Sequence, residues 1–322
     1  MEHASSPAPA KLNLFLYVTG KRDDGYHDIL TLMQKVSLYD TVDIRVEEGN
    51  AIQVRITGPA QRKAPAGPRR AVNLQSSGIM STSGDIPVDE KNTAYAAAQL
   101  FFRRKDVRKK RVGITIEKRI PVESGMGGAS SDAACVLTML NKLLPFYTGP
   151  ELVELSKEIG SDVPFFMMEG SGLASGRGDR VKKVEIAGPL YYVVVKPGFG
   201  ISTRWAYSQL KSLTKNGRPS MCDLAFYTKD DIVRCLQNDL ETVAEEHAPE
   251  IKTIKEKLLQ SGAKAAAMTG SGSCVFGIFY EEQEAEKALN TISIDYTTVY
   301  KLRGIEQRRQ EYGNYRGKGI PG

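Results

Sequence analysis

Residues 121–131 read PVESGMGGASS, a glycine-rich segment that lies between two predicted elements of secondary structure. Apolar side chains alternate over residues 112–116, which predicts a strand before the segment. An apolar helical periodicity follows it and predicts a helix over residues 130–144. This arrangement resembles several phosphate-binding loops, so the segment predicts a strand, loop and helix unit with an anion site.

The residue types in this loop are those that an anion site needs. Gly125, Gly127 and Gly128 leave space for a ligand to approach the backbone. Ser130 and Ser131 stand at the start of the helix, where free amide groups and the helix dipole favour negative charge. Successive N–H groups in such a loop can surround phosphate oxygens. A tight turn without a ligand would show the same pattern, so the loop alone leaves both interpretations open.

Three well-known phosphate loops do not match this one. The P-loop requires a lysine directly before its serine or threonine, and Ala129 precedes Ser130 here. The dinucleotide-binding pattern G-x-G-x-x-G would need a glycine where Ser130 stands. A protein kinase would carry H-R-D and D-F-G motifs, which the sequence lacks.

The length and composition predict a globular chain of two domains. A chain of 322 residues suits two domains of ordinary size, and its 41% hydrophobic content can form a substantial core. The four cysteines contain no C-x-x-C pair, which favours reduced thiols over a disulfide framework or a zinc site. Three histidines are too few to favour a histidine-built metal site.

The formal net charge of +6 is concentrated in one short segment. Residues 103–111 hold seven basic residues and one acidic residue, which equals the net charge of the whole chain. Such a block can bind nucleic acid, but a solvated helix end and loop has the same composition. No run of about 18 apolar residues predicts a membrane span. The N-terminus has no apolar signal core, so we expect a cytoplasmic protein that binds no membrane.

The segment KLNLFLYV, residues 11–18, alternates as a strand does. We expect one face to carry Leu12, Leu14, Leu16 and Val18, and the other to carry Lys11, Asn13, Phe15 and Tyr17. Lys11 and Asn13 would then place a cation and an amide together, an arrangement suited to holding a substrate. An isolated lysine at a strand edge is more often solvated.

Asp162 lies in GSDVPFF, residues 160–166, just after a predicted helix and within apolar surroundings. A carboxylate in such surroundings needs a partner, because burying an unpaired charge is costly. Lys11 can supply that partner. An aspartate paired with a lysine beside a triphosphate can accept a hydroxyl proton while the lysine balances charge. The alternative is a simple turn at the end of a helix.

The rest of the chain contains an insertion, a tail and further predicted strands and helices. Residues 58–88 predict a long surface insertion, and residues 313–322 a disordered tail. Further strands are predicted at 40–46, 51–57, 191–198 and 274–280, and further helices at 92–102, 151–159, 229–245, 249–261 and 281–289. The strand at 191–198 is expected to open a second domain.

Three stretches in order resemble the motifs of the GHMP kinase superfamily, which includes galactose, homoserine, mevalonate and phosphomevalonate kinases. They read PAKLNLFLYVTGKRDDGYHDI, PVESGMGGASSDAA and MTGSGSCVF. The resemblance covers most of residues 9–305. It implies an α+β fold of two lobes, the first like ribosomal protein S5 domain 2 and the second ferredoxin-like. The implied domains are 1–184, an ATP-binding domain with the insertion at 58–88, and 185–305, followed by a flexible tail at 306–322.

The resemblance also implies a reaction, phosphoryl transfer from ATP with Mg²⁺. PAKLNL, GYH and DVPFF together are most similar to members that phosphorylate the 2-hydroxyl of a cytidyl-bearing methylerythritol for isoprenoid precursors. Asp162 matches the catalytic base and Lys11 its catalytic partner. The ATP-binding positions are Pro121, Val122, Glu123, Ser124, Gly125, Met126, Gly127, Gly128, Ala129, Ser130 and Ser131.

The substrate-binding positions follow from the same resemblance. Asn13 would place the acceptor, Tyr26 would stack on the cytosine and His27 would hydrogen-bond it. Thr203 and Tyr207 match positions in the same pocket, Tyr207 as its second aromatic face. Gly270 and Gly272 would keep the third motif close to phosphates and substrate. The metal ligands stay unassigned, with Ser131 as the one candidate. The expected partners are ATP and the small cytidyl substrate, without nucleic acid, in a monomer or homodimer.

The chain departs from the superfamily pattern at a few points. The segment at 58–88 is longer than the usual connection, and Glu123 places an acid in the loop, where we expect it to face solvent. Two alternatives stay open on the sequence. One is a GHMP kinase of the homoserine or mevalonate type, whose substrate has no base to stack. The other is a basic RNA-binding module, favoured by residues 103–111.

Overall fold

The computed structural model describes residues 1–59, 86–103, 110–210 and 224–306. Most of the predicted insertion, the tail from residue 307, Cys222 and the centre of the basic segment lie outside these ranges. The strands are β1 (Glu2–Lys21), β2 (His27–Glu48), β3 (Ala51–Thr57), β4 (Lys110–Glu117), β5 (Ser171–Gly176), β6 (Arg180–Ile186), β7 (Tyr191–Val195), β8 (Phe226–Tyr227), β9 (Ala265–Met268), β10 (Val275–Phe279) and β11 (Val299–Arg303). The helices are α1 (Thr93–Arg103), α2 (Gly128–Leu143), α3 (Gly149–Ile159), α4 (Val163–Met167), α5 (Thr203–Ser208), α6 (Lys229–Cys235), α7 (Glu241–His247), α8 (Glu250–Gln260) and α9 (Glu282–Ile292).

A seven-stranded sheet forms the first lobe, and two long strands organise it. β1 pairs antiparallel with β2 along nearly its whole length, while β4 and β5 both pair with β2 over different halves. β3 lies parallel to β4, β6 extends the sheet beyond β5, and the short β8 adds a parallel edge strand to β6. Helices α1, α2 and α3 pack their apolar faces on this sheet in one core cluster. In α1 the buried side chains are Ala94, Ala97, Ala98 and Phe101, the spacing of a single helical face.

The predicted faces of β1 are correct only for its first part. Leu12 and Leu14 lie in one core cluster, but Leu16 and Val18 lie in another. Phe15 and Tyr17, predicted to lie opposite the leucines, join the first cluster instead. A register shift between Asn13 and Phe15 causes the change, because a β-bulge adds one residue and reverses the alternation beyond it. Both faces of the strand are buried, so alternating hydrophobicity carries no sign of the bulge.

The second lobe has a four-stranded antiparallel sheet in the order β11-β7-β10-β9. Counted along the chain, the order is fourth, first, third, second, which is the ferredoxin-like arrangement. One face packs on helices through Val193, Val195, Ile251, Ile254 and Ala285. The other face meets β1 and β2 through a shared cluster that includes Tyr192 and Phe276. The predicted α+β fold with two lobes is therefore observed.

The helix predicted over residues 229–245 is interrupted in the structure. α6 ends at Cys235 and α7 begins at Glu241. Between them the chain pairs with β1, where Leu16 donates its N–H to Gln237 at 2.8 Å and accepts that of Asp239 at 3.0 Å. These backbone groups therefore bond across the lobe interface instead of continuing a helix.

Candidate active site

A cleft of about 1620 Å³ lies between the two lobes. The segments that line it include the glycine-rich loop, the middle of β1, the turn between β5 and β6, and residues 270–272 of the third motif. α5 closes the side opposite β1 with Thr203, Arg204 and Tyr207. All the predicted catalytic residues line this cleft, and most of the predicted loop and substrate residues do so as well.

The glycine-rich loop leads into α2 with a backbone that needs glycine. Gly125 and Gly127 have φ of 74° and 72°, values in the left-handed region that L side chains rarely adopt. Gly127 is the N-cap of α2, so the free amides of the first turn follow it directly. The N–H of Lys11 donates to the carbonyl of Met126 at 3.0 Å, which ties β1 to the loop.

Lys11 and Asp162 form an ion pair beside this loop. The Nζ of Lys11 lies 3.6 Å from Oδ2 of Asp162, and it also donates to Oδ1 of Asn13. The Lys11 side chain is 4% exposed and that of Asp162 is 33% exposed. Burial lowers the pKa of Lys11, while Asp162 acts in the opposite direction. Asn13 is fixed through Nδ2 to Thr31 at 2.8 Å, so both predicted β1 residues are held in place.

The third motif contributes backbone to the site. A Cβ on Gly125 would overlap the carbonyl oxygen of Thr269, and one on Gly270 would lie 2.9 Å from the carbonyl oxygen of Gly125. The two glycine segments therefore touch through their main chains. Asn238 holds the motif by donating Nδ2 to the carbonyls of Met268 and Gly270, both at 2.8 Å. The sequence pattern did not single out Asn238.

Aromatic side chains occupy the opposite end of the cleft. The rings of His27 and Tyr207 stack with centroids 5.2 Å apart and an interplanar angle of 29°. Tyr26 is 54% exposed, and the guanidinium of Arg177 lies 5.2 Å from its ring centroid. Burial lowers the pKa of His27, so its imidazole is neutral near pH 7. Thr203 lies at the same end and shares a hydrogen bond of 2.8 Å with Ser271.

A buried charged cluster below the loop was missed by the sequence reasoning. Lys118 lies between Asp40 and Asp132, with Nζ 2.7 Å from Oδ2 of Asp132 and in contact with Asp40. Asp40 also accepts the N–H groups of Arg119 at 2.6 Å and Ile120 at 2.9 Å. Burial raises the pKa of Asp132 to about 7, while Lys118 acts in the opposite direction. The signal that could have indicated this cluster is Asp132, a single aspartate within the otherwise uncharged segment SSDAACVL.

Two residues of the loop segment, Glu123 and Ser131, lie in different environments. Glu123 is exposed, as predicted, with φ of 50°, and its side chain lies against Gly200 of the second lobe. Ser131 is 1% exposed, and its Oγ has no hydrogen-bond partner. Oδ1 of Asp132 is likewise buried without a partner. Within the ranges that the structure describes, no group of three or more His, Cys, Asp or Glu side chains is placed to hold a metal ion.

The described part of the chain contains no helix with the length and apolar character needed to cross a membrane.

The comparisons with known proteins define the class. The model of the GHMP kinases N terminal domain matches residues 92–170, and the model of the GHMP kinases C terminal region matches residues 226–297. The chain belongs to the GHMP kinase family. A homoserine kinase from Cytophaga hutchinsonii has the same fold, with a TM-score of 0.69 over 95% of both chains at 17% identity.

The more similar relatives share one name. The 4-diphosphocytidyl-2-C-methyl-D-erythritol kinase of Syntrophotalea carbinolica is 41% identical over 288 residues, covering 89% of this chain and 93% of the relative. The enzyme of the same name from Citrifermentans bemidjiense is 37% identical, with the same coverage. A crystal structure of 4-(cytidine 5'-diphospho)-2C-methyl-D-erythritol kinase aligns with a TM-score of 0.70 at 29% identity, over 94% of this chain and 99% of that one. The predicted superfamily, fold and phosphotransferase class are confirmed.

Proposed function

We propose that this chain transfers the γ-phosphoryl group of ATP to the 2-hydroxyl of 4-diphosphocytidyl-2-C-methyl-D-erythritol. The observation that carries the proposal is the position of the Lys11–Asp162 pair, inside one cleft, between a glycine-rich loop and an aromatic end. A phosphate donor and a base-bearing acceptor can therefore meet at one carboxylate. The names of the relatives support the same acceptor.

In the proposed reaction, Asp162 accepts the proton of the acceptor hydroxyl as its oxygen attacks the γ-phosphorus. The bond from that phosphorus to the bridging oxygen breaks, and ADP leaves. Lys11 stays charged beside the carboxylate and the transferring group, which offsets developing negative charge. Asn13 holds the ammonium of Lys11 through its amide oxygen. Catalysis then rests on positioning and charge, as phosphoryl transfer generally requires.

The nucleotide would lie along the glycine-rich loop, with its phosphates at the N-terminus of α2. Ile56, Ile86 and Val122 line that part of the cleft and offer an apolar surface for the adenine. Mg²⁺ usually keeps waters and phosphate oxygens and takes only one or two protein oxygens. The unpartnered Oγ of Ser131 fits such a minor role. When bound, Mg²⁺ would neutralise phosphate charge.

The cytosine would be bound at the aromatic end. Tyr26 offers an exposed ring, and the neutral His27 offers one donor and one acceptor for the edge of the base. Tyr207 supplies the second aromatic surface, on which His27 stacks here. Homoserine and mevalonate have no base, so this end of the cleft favours the cytidyl acceptor over theirs.

The test is ADP release with the cytidyl substrate, homoserine and mevalonate in parallel. We expect turnover with the cytidyl substrate alone. Tyr26→Ala should raise its KM about tenfold or more, since stacking on one base contributes about 1–3 kcal/mol, and should leave the KM for ATP nearly unchanged. Phe226→Ala is the matched control, because Phe226 is 52% exposed and does not line the cleft. Turnover of homoserine or mevalonate, or an unchanged KM for Tyr26→Ala, would contradict the proposal.

The domain boundary, the cellular location and the assembly of the chain are also proposed. The division into domains 1–184 and 185–305 places the boundary near the end of β6, which runs to Ile186, shortly before β7 opens the second sheet. The cytoplasm is the proposed location, and none of the cysteines that the structure describes, Cys135, Cys235 and Cys274, forms a disulfide. A monomer or a homodimer is proposed as the assembly.

A further inference from the structure

Arg177 is presented to the cleft by a turn that two glycines shape. The turn joins β5 to β6, and Gly176 and Gly178 flank Arg177 with φ of 68° and 99°. Gly178 donates its N–H to the carbonyl of Ser175 at 3.1 Å, which closes the turn. Positive φ on both sides of one residue requires glycine, so the sequence G-R-G fixes where the arginine stands.

The turn lies between the two ends of the acceptor site. A Cβ on Gly178 would be 3.6 Å from Cβ of Ser161 and 3.8 Å from Oδ1 of Asp162. On its other side, the guanidinium of Arg177 lies 5.2 Å from the ring centroid of Tyr26. A ligand that reaches from Tyr26 to Asp162 therefore passes the Arg177 side chain.

The charge of Arg177 is held in this position and stays available. One guanidinium nitrogen donates to Oδ2 of Asp179 at 3.2 Å, which orients the side chain. The side chain is 33% exposed and lines the cleft. Arginine carries several donors in a planar fork that matches phosphate oxygens, so one carboxylate contact leaves donors for an anion.

We propose that Arg177 binds the diphosphate of the cytidyl substrate, between the base at Tyr26 and the hydroxyl at Asp162. The inference rests on the proposed function, because that acceptor carries two phosphates between its base and its reacting polyol. In the proposed function the glycine-rich loop takes the phosphates of ATP, so the diphosphate of the acceptor needs a cation elsewhere in the cleft. Arg177 is thus a substrate-binding residue that sets affinity for the diphosphate.

The experiment compares cytidine with cytidine 5'-diphosphate as ligands, measured by calorimetry on the full chain. Arg177→Met should weaken binding of the diphosphate about tenfold, as expected for the loss of a charge-assisted contact. Binding of cytidine should change by less than about twofold, because the base contacts remain. Arg177→Lys should retain part of the affinity. Arg180→Met is the matched control, since Arg180 lies on the same hairpin, is exposed and does not line the cleft.

Two results would overturn the inference. Equal weakening of cytidine and its diphosphate would mean that Arg177 acts only by supporting Tyr26. Unchanged affinity for both would mean that it does not contact the substrate. Turnover by the unmodified chain separates this inference from the proposed function. If the unmodified chain does not phosphorylate the cytidyl substrate, the proposed function is rejected. If it does, and Arg177→Met binds the diphosphate as tightly as the unmodified chain, only the role of Arg177 is rejected.

Discussion

Asp162→Asn tests the proposed catalytic pair with a change of one charge and almost no volume. Asparagine cannot accept the hydroxyl proton, and loss of a general base commonly reduces rate by 10²–10⁴-fold. The variant also removes the partner of Lys11. Two unit charges 3.6 Å apart attract by about 4–5 kcal/mol at an effective dielectric constant of about 20. Solvent reduces that figure, because a third of the Asp162 side chain is exposed. Together these losses predict a fall in kcat of about 10³-fold or more.

The assay measures kcat by ADP release at saturating substrates, with ATP binding measured separately by calorimetry. We expect the Kd for ATP to change by less than about threefold, since the loop amides and the start of α2 are untouched. Asp162→Glu keeps the charge but moves it, so it should retain more of the rate than Asp162→Asn. Retention of more than about a hundredth of the activity by Asp162→Asn would refute the base role, on the lower limit for general-base loss.

The same pair predicts a pH dependence. Burial lowers the pKa of Lys11 from 10.5, and Asp162 opposes that shift. A lysine with a lowered pKa is charged below that pKa and loses its charge as the pH rises through it. We therefore expect kcat/KM to decline on the alkaline side at a pH below 10.5. In Asp162→Asn the decline of the residual rate should begin at lower pH. An unmoved alkaline limb would show that Lys11 does not govern it.

Two further predictions concern the loop and the cluster beneath it. Gly125→Ala should weaken ATP binding and lower the melting temperature. The φ of Gly125 is unfavourable for alanine by about 1–2 kcal/mol, and the new Cβ would overlap the Thr269 carbonyl. Gly149→Ala is the control and should have little effect, because the space around Gly149 is open. Lys118→Met should reduce the free energy of unfolding, measured in urea, by about 3–5 kcal/mol, because it leaves buried carboxylates without their cation. The double variant that also carries Asp132→Asn should recover part of this loss. A loss below about 1 kcal/mol in Lys118→Met would contradict the compensation that the geometry implies.

The sequence predicted those parts of the fold whose signals are local. Residues 151–159 were predicted as a helix, and α3 spans Gly149–Ile159 with a capping box formed by Thr148 and Glu151. The alternation of residues 112–116 became β4. By contrast, no strand was predicted over residues 171–176, where β5 lies. Gly172 lies in that strand, where a Cβ would crowd Val181 and Phe165, so close packing explains a glycine that has no turn to form.

The sequence predicted which residues form the site, but it did not predict the contacts that hold them there. Lys11 was expected to be solvated if it stood alone, and it is buried because the loop, β1 and the second lobe enclose it. Lys118 and Asp132 were missed because each carries a charge whose partner is distant in sequence. Arg177 and Asn238 were missed for a related reason, since their roles depend on a turn and on a cross-lobe contact. Periodicity describes one element at a time, whereas these contacts join several.

The missing lysine of the glycine-rich loop has a structural explanation. In a P-loop the lysine is part of the loop sequence, but here a cation reaches the site from β1. The Lys11 N–H bonds the carbonyl of Met126, and a Cβ on Gly127 would lie 3.1 Å from Cγ of Lys11. The glycine at position 127 therefore serves the passage of the lysine stem as well as the start of α2. A larger residue there would crowd the Lys11 stem and the ring of Phe166, so the glycine makes room for a lysine that comes from β1.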